Sequence, residues 1–191
     1  MGSFIIEGGH RLHGDVTPQG AKNEALQILC AVMLTAEPVT IHNLPDIVDV
    51  NKLISLLGDL GVKIQQLGPG SYRFQADDVN LSHLDTESFQ SKGSALRGSV
   101  MILGPMLGRF GVGAIPRPGG DKIGRRRLDT HFIGFQQLGA TFEYDAQSGF
   151  FNARAPKGLK GTYMLLDEAS VTGTANVVMA AALAQGTTTI Y

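Results

Sequence analysis

Leu60-Gly61-Val62-Lys63-Ile64, at residues 60–64, returns in nearly the same form at residues 138–142 as Leu138-Gly139-Ala140-Thr141-Phe142. In both places a helical pattern ends at a glycine, which readily adopts the positive φ of a helix C-terminus, and a strand pattern begins. A phrase that recurs at such a spacing indicates an internal repeat. The sequence therefore predicts a chain built from a series of similar units.

Three isoleucines, Ile41, Ile115 and Ile190, mark the repeat at intervals of 74 and 75 residues. Each complete unit predicts a helix, a strand, a turn, a second helix and a hairpin of half-buried strands. The predicted helices are 21–34, 50–60, 96–108, 129–138 and 173–184, and the predicted strands include 39–41, 71–75, 112–115, 149–153 and 186–190.

The third unit stops at Tyr191, before the turn and the second helix that the other two units contain. A unit cut at this point would leave apolar surface uncovered, so we expect the sequence to be part of a longer chain. Units that place buried helices against a sheet belong to the α/β class. The expected fold is an α/β domain with two complete units and the start of a third.

Composition argues against several classes of function. The 191 residues carry 16 basic and 17 acidic side chains, a formal charge of -1, which gives no field for nucleic acid or for a membrane surface. No apolar run is long enough to span a bilayer, and the single cysteine, Cys30, lies in an apolar helix pattern that suits a reducing compartment. We expect a cytoplasmic protein without nucleic-acid or membrane partners.

Metal and cofactor motifs are not evident in the sequence. His10, His13, His42 and His83 lack metal-ligand spacing, and one cysteine does not make a zinc site. The glycines between Gly108 and Gly113 have neither a dinucleotide-binding context nor the Lys-Ser/Thr pair of a P-loop. We expect no cofactor.

Cations recur at the predicted helix starts. Lys22 opens the first helix of unit one, and Arg97 stands at the matching position of unit two, 75 residues later. Ser170, Val171 and Thr172 open the third, with hydroxyl groups in place of the cation. A cation is unfavourable at the positive end of a helix dipole unless an anion binds there. Each charge alone could be a solvated surface charge, but their recurrence in register indicates anion binding.

The second unit is four residues longer than the first, and the extra residues fall in the loop 116–131. Asp121 lies there between glycines and is followed by basic residues up to Arg127. Nearby cations lower the pKa of a carboxyl group. The loop could be a lid that closes over a polyanion and delivers a proton, or an exposed basic turn. Both interpretations remain open from the residues alone.

Several separated motifs resemble the enolpyruvyl transferase family, in the branch that acts on UDP-N-acetylglucosamine. They are Pro18-Gln19-Gly20-Ala21-Lys22-Asn23, Leu96-Arg97-Gly98-Ser99, Leu103-Gly104-Pro105, Pro118-Gly119-Gly120-Asp121-Lys122-Ile123-Gly124 and Leu128-Asp129-Thr130-His131. The resemblance implies an inside-out α/β barrel of repeated units. It makes residues 21–191 the first domain, incomplete in its third unit, and implies that residues 1–20 pack with a second, C-terminal domain that this chain lacks.

The same resemblance implies transfer of the enolpyruvyl group from phosphoenolpyruvate to the 3-hydroxyl of UDP-N-acetylglucosamine, with release of phosphate, as the first committed step of peptidoglycan synthesis. It implies that Asp121, where the family usually has cysteine, is the general acid, and hence insensitivity to fosfomycin. A site shared between two domains would leave this part inactive alone.

By resemblance, Lys22 and Arg126 contact phosphoenolpyruvate, Asn23 contacts the sugar and Arg97 holds the nucleotide sugar. A further set is implied to grip the uridine end or the diphosphate, namely Arg126, Arg127, Leu128, Asp129, Thr130, His131, Ser170, Val171 and Thr172. Two residues depart from the family pattern. Arg127 replaces the usual proline, and Glu168 stands where lysine is usual.

Two other functions stay open. One is the shikimate-pathway enolpyruvyl transferase, which usually has Lys-Ser where this chain has Lys22-Asn23 and which lacks the Pro-Gly-Gly-Asp loop. The other is a noncatalytic module that binds a nucleotide sugar.

Overall fold

The computed structural model describes residues 2–119 and 127–191. Its α-helices are α1 (Lys22–Ala31), α2 (Val48–Asp59), α3 (Glu87–Ser94), α4 (Leu103–Phe110), α5 (Asp129–Gln137) and α6 (Val171–Ala181). The strands are β1 (Val39–Ile41), β2 (Lys63–Gly68), β3 (Ser71–Gln75), β4 (Val112–Pro116), β5 (Thr141–Asp145), β6 (Phe150–Arg154), β7 (Tyr163–Met164) and β8 (Thr189–Ile190). Short 3-10 helices cover Val32–Leu34, Leu81–Asp85 and Arg97–Ile102.

The first two units build the same sheet twice. The strand orders are β1-β3-β2 and β4-β6-β5, and every pairing in both sheets is antiparallel. Ile41 pairs with Tyr72 and Ile115 pairs with Phe151. In the third unit β8 pairs in parallel with β7. The repeat predicted from the isoleucine spacing is confirmed.

Glycine ends the second helix of each complete unit, as predicted. Gly61 has φ 91° and Gly139 has φ 96°, a region that other residues rarely adopt. At Gly61 an added Cβ would lie 2.5 Å from the carbonyl oxygen of Asp78, so the residue is also required by a close approach of the chain.

Helices occupy the middle of the molecule and the sheets lie outside them. Helix α6 packs against α4, α5 and α1, and glycines permit the approach. An added Cβ at Gly104 would lie 2.4 Å from the backbone oxygen of Asn176, and one at Gly134 would lie 2.3 Å from Val177 Cγ2. A single buried apolar cluster joins all three units. This is the inside-out α/β arrangement expected from the sequence, and the predicted fold class is confirmed.

One predicted helix is wrong in its first half. Residues 96–108 do not form one α-helix, because 97–102 is a 3-10 helix and α4 begins only at Leu103. Pro105 explains the change: it has no N–H to donate and is tolerated in the first turn of a helix but not in the interior. The Ser99 hydroxyl also donates to the carbonyl oxygens of Gly93 and Leu96 at 2.8 and 2.7 Å, which fixes the tighter turn.

Helix α3 was not predicted. Its start was signalled by Thr86, whose hydroxyl oxygen accepts from the Phe89 N–H at 3.3 Å as an N-cap.

Two further features concern the rest of the described chain. Residues 2–20 contain no helix or strand and expose Phe4 almost fully, at 96%. None of the helices in the described part has the length and apolar character needed to cross a membrane.

Candidate active site

A cleft of about 840 Å³ lies where the helices of the three units begin. Cavities of this size are typical of small-molecule sites. The residues that line it are Lys22, Asn23, Leu26, Asp49, Lys52, Ala95, Leu96, Arg97, Gly98, Val100, Met101, Arg127, His131, Glu168, Ala169, Ser170 and Thr172.

The three helix starts that the sequence placed in register meet at this cleft. Lys22 and Asn23 open α1, Arg97 opens a 3-10 helix, and Ser170 precedes α6. The first backbone N–H groups of a helix have no partner within the helix and carry partial positive charge. At α6 the Ser170 hydroxyl oxygen accepts from the Gly173 N–H at 3.1 Å. The repeat thus brings equivalent positions of three units to one place.

The second helices of the two complete units also begin at the cleft. Asp49 lies in the first turn of α2 and Lys52 follows three residues later, and the Asp49 carboxylate forms an ion pair with the Lys22 ammonium group. Arg127 and His131 lie at the start of α5. The Lys22–Asp49 ion pair is part-exposed, with 47% of the Lys22 side chain and 31% of the Asp49 side chain accessible. Its own contribution to stability is therefore small.

Arg127 is held by two carboxylates. Its Nε donates to Asp129 Oδ2 at 2.6 Å, and a terminal nitrogen donates to Asp167 Oδ2 at 3.3 Å. The hydrogen bond to Asp129 and its charge, followed by the charges of Asp167 and Glu168, raise the pKa of Arg127 above its ordinary value. Its backbone oxygen accepts from a guanidinium N–H of Arg97 at 3.0 Å. The two arginines are therefore anchored to each other at the rim.

His131 is 3% exposed and lines the inner wall of the cleft. Its Nδ1 lies 3.0 Å from Nδ2 of Asn176 on α6. Burial, and then the nearby charge of Arg97, lower the pKa of His131 to about 4. The imidazole is consequently neutral at physiological pH.

The structure separates the predicted site residues into groups. Lys22, Asn23, Arg97, Arg127, His131, Ser170 and Thr172 line the cleft. Leu128, Asp129, Thr130 and Val171 do not. The Thr130 hydroxyl is buried and donates to Asp167 Oδ1 at 2.7 Å, while Asp129 bonds Arg127. Asp121 and Arg126 lie outside the described residues.

Sequence reasoning did not single out Asp49, Lys52, Asp167 or Asn176. A signal for Asp49 existed in the repeat, because the 78-residue offset between Gly61 and Gly139 places Asp49 opposite Arg127. Asp49 lies in the first turn of α2, and Arg127 lies two residues before α5. Asn176 carried no signal, since its importance depends on packing between distant helices.

Charge at the cleft favours an anionic ligand. Four of its lining residues are cationic, Lys22, Lys52, Arg97 and Arg127, whereas two are acidic, Asp49 and Glu168. The whole chain, by contrast, has a formal charge of -1. A local cluster of this kind attracts phosphate or carboxylate groups. Within residues 2–119 and 127–191, no three His, Cys, Asp or Glu side chains are grouped as a metal site would require.

Sequence comparison identifies relatives across the entire chain. The family model of EPSP synthase (3-phosphoshikimate 1-carboxyvinyltransferase) matches residues 6–191. Curated relatives named UDP-N-acetylglucosamine 1-carboxyvinyltransferase include those of Bacteroides thetaiotaomicron, 61% identical over 191 residues, and Porphyromonas gingivalis, 56% identical over 191 residues. In both cases all of this chain is covered, but only 44% of the relative. The chain thus spans less than half the length of these relatives.

Solved structures share the fold. The enolpyruvyl transferase NikO from Streptomyces tendae matches with a TM-score of 0.77 and 20% identity, over 96% of this chain and 41% of that one. An EPSP synthase from Acinetobacter baumannii matches with a TM-score of 0.67 and 16% identity, over 93% and 40%. At these identities the likeness establishes the architecture.

Proposed function

We propose, from the premise that this chain belongs to the EPSP synthase (3-phosphoshikimate 1-carboxyvinyltransferase) family, that it forms the nucleotide-sugar half of a UDP-N-acetylglucosamine 1-carboxyvinyltransferase. Such an enzyme transfers the enolpyruvyl group of phosphoenolpyruvate to the sugar 3-hydroxyl and releases phosphate. This chemistry places it in peptidoglycan synthesis, in the cytoplasm, where its fully buried thiol, Cys30, would stay reduced.

The observation that carries the proposal is the meeting of three equivalent helix starts at one cationic cleft. A nucleotide diphosphate sugar offers two adjacent phosphates, and phosphoenolpyruvate offers a phosphate and a carboxylate. Arg97 and the α6 start suit the diphosphate, because guanidinium and helix N-terminal N–H groups are donors for anionic oxygens. Lys22 suits phosphoenolpyruvate as a point charge near the reacting atoms.

Specificity for a nucleotide sugar is supported by the relatives and by the residues. The curated relatives at 56–62% identity carry the UDP-N-acetylglucosamine name. Asn23, which follows Lys22 in the cleft, offers an amide that can both donate to and accept from sugar hydroxyls.

The chemical steps are assigned by family resemblance. Asp121 would protonate C3 of phosphoenolpyruvate, and the sugar 3-hydroxyl would add to C2 while giving up its proton to a base. The tetrahedral adduct would then lose a proton from C3 as the C2–O bond to phosphate breaks, which restores the C2–C3 double bond and releases phosphate. Arg126 would hold the phosphate that departs. The catalytic base is expected in the part of the enzyme beyond this chain, so substrate binding, rather than turnover, is the property to measure here.

Calorimetric titration of the chain with UDP-N-acetylglucosamine tests the proposal. We expect binding that Arg97→Ala abolishes and that Arg73→Ala, an exposed arginine on β3 away from the cleft, leaves unchanged. Titration with 3-phosphoshikimate is the matched ligand control. Binding of 3-phosphoshikimate in preference to the nucleotide sugar would favour the shikimate-pathway activity instead.

A second assay distinguishes a catalyst from a noncatalytic binding module. The chain is extended to the length of its relatives, and phosphate release from phosphoenolpyruvate is followed with UDP-N-acetylglucosamine present. Release that Asp121→Ala removes supports the transferase. Tight nucleotide-sugar binding without any release would leave a binding module.

A further inference from the structure

Asn176 is a fully buried polar residue, at 0% exposure, whose amide contacts three separate elements. The Gly104 N–H of α4 donates to Asn176 Oδ1 at 2.9 Å. Nδ2 donates to the backbone oxygen of Val100 at 2.9 Å and lies 3.0 Å from Nδ1 of His131. All the hydrogen-bonding capacity of the Nδ2 group is therefore committed inside the protein.

The two backbone contacts fix which way the amide faces. A backbone N–H can only donate and a backbone oxygen can only accept. Exchanging Oδ1 and Nδ2 would set two donors together at Gly104 and two acceptors together at Val100. Both arrangements would leave buried polar groups unsatisfied, at a cost of about 1–3 kcal/mol each. The Nδ2 group must then be the one that faces His131.

The orientation of this amide determines the tautomer of His131. An amide NH₂ group is only a donor, so Nδ1 of His131 must accept, and in a neutral imidazole the proton then resides on Nε2. A proton on Nδ1 would place two N–H groups against each other in a buried site. The depressed pKa of His131 agrees, since neither its burial nor the Arg97 charge favours the imidazolium form.

The remaining ring nitrogen faces the cleft. Within residues 2–119 and 127–191, Nε2 has no hydrogen-bond partner, and it is not fully enclosed by the protein. Because the ring lines the cleft, an Nε2–H group can reach a bound ligand there. Arg97, which influences His131 electrostatically, also presents only donors. The two side chains suit one ligand group rich in acceptor oxygens.

We propose that Asn176 is a positioning residue that holds His131 in its Nε2–H tautomer, making this histidine a neutral hydrogen-bond donor to an acceptor oxygen of the nucleotide sugar. The identity of the ligand rests on the proposed function, whereas the tautomer does not. Neither residue would need to exchange a proton during the reaction.

A purely structural role for Asn176, as a hydrogen-bonded link between α6 and the segment that leads into α4, predicts different results. Such a link needs only the contacts to Gly104 and Val100. It would affect unfolding, but it would not determine where the proton of His131 resides. The tautomer is thus the readout that separates the two roles.

Long-range proton–nitrogen NMR of the ¹⁵N-labelled 191-residue chain measures the tautomer directly, with the His131 signals assigned by their loss in His131→Gln. We expect the wild type to carry its proton on Nε2. Asn176→Asp replaces the donor by an acceptor, so the proton should move to Nδ1. Ser99→Ala is the control, because it removes a buried hydroxyl from the same region without touching His131. A wild-type proton on Nδ1, or an Asn176→Asp spectrum unchanged from wild type, would overturn the proposal.

Two substitutions of His131 extend the test if Asn176→Asp does not fold. A glutamine amide reaches the place of Nε2 and keeps a donor at the cleft, whereas an asparagine amide reaches only the place of Nδ1. Loss of one hydrogen bond corresponds to about three- to tenfold in affinity. We expect His131→Asn to bind UDP-N-acetylglucosamine about that much more weakly than His131→Gln. The reverse order would contradict a donor role for Nε2.

The failures are distinguishable. A wild-type chain that shows the Nε2–H tautomer but binds no UDP-N-acetylglucosamine would contradict the proposed function and leave the positioning role of Asn176 intact. A chain that binds the nucleotide sugar with His131 in the other tautomer would contradict the positioning role alone.

Discussion

The Lys22 ammonium group is ion-paired with the Asp49 carboxylate, so the cation that opens the first helix is balanced by an acid from the start of the second. An arriving phosphate or carboxylate would share Lys22 with Asp49. The pair joins two helices of the same unit at the point where the cleft opens. Its exposure suggests a role in ligand binding more than in folding.

We expect Lys22→Gln to lower the free energy of unfolding by less than about 1 kcal/mol, because exposed ion pairs contribute little. The same substitution should strongly weaken binding of phosphoenolpyruvate or inorganic phosphate. Urea unfolding and phosphate titration measure the two effects. Lys63→Gln, which breaks the comparably exposed pair of Lys63 with Asp77, is the control. It should change the free energy of unfolding as little as Lys22→Gln does, and it should leave phosphate binding unchanged. Equal loss of phosphate binding in both variants would contradict a specific role for Lys22.

The stability of the chain should fall as the pH is lowered from 6.5 because of His131. The folded-state pKa is about 4 and the ordinary value is 6.5, so between them the unfolded chain binds a proton that the folded chain does not. The stability lost through His131 is negligible above pH 6.5 and reaches about 3 kcal/mol near pH 4. Urea unfolding between pH 6.5 and about 5, ahead of most carboxylate titration, measures the slope.

His131→Gln is the matched variant for this slope, since it keeps a neutral polar side chain that does not titrate. The other histidines remain in both proteins and cancel in the comparison. We expect the variant to lose less stability than the wild type as the pH falls. Parallel curves would show that His131 titrates normally in the folded state.

Gly104→Ala should destabilise the fold by about 1–3 kcal/mol, the usual cost of overpacking, because the new Cβ would meet the backbone oxygen of Asn176 at 2.4 Å. Gly58→Ala is the matched control within α2, where the nearest atom is Ile64 Cδ1 at 3.5 Å. There the higher helix propensity of alanine should stabilise the chain by up to about 1 kcal/mol. Thermal unfolding of both variants measures the difference, and a Gly104→Ala protein as stable as wild type would contradict the close packing of α4 on α6.

Fosfomycin should form no covalent adduct with this chain. Its one cysteine, Cys30, is fully buried, and burial raises the pKa of its thiol well above the ordinary value, so little thiolate is available. By the resemblance, Asp121 stands at the loop position where the family usually has cysteine, and a carboxylate is a poor nucleophile by comparison with a thiolate. Intact-mass measurement after incubation tests this, with Asp121→Cys as the positive control. An adduct on the wild-type chain would contradict the expectation.

Much of the fold was predictable because the relevant signals are local and repeated. The glycine ends at Gly61 and Gly139 and the strand isoleucines specify two copies of one unit, and the structure builds the same antiparallel sheet from each. The error at 96–108 was also local. Pro105 should have indicated that an α-helix starts only shortly before it.

The sequence by itself determined the repeated elements and the polar helix starts at Lys22, Arg97 and Ser170, because periodicity and spacing act along the chain. Only the tertiary structure decided that these starts share one cleft, that Asp49 pairs with Lys22, and that the Asn176 amide lies against Nδ1 of His131. These relationships join residues from different helices, and their geometry depends on how closely the helices approach. Hydrogen-bond direction and burial arise from that packing, which no single stretch of sequence contains.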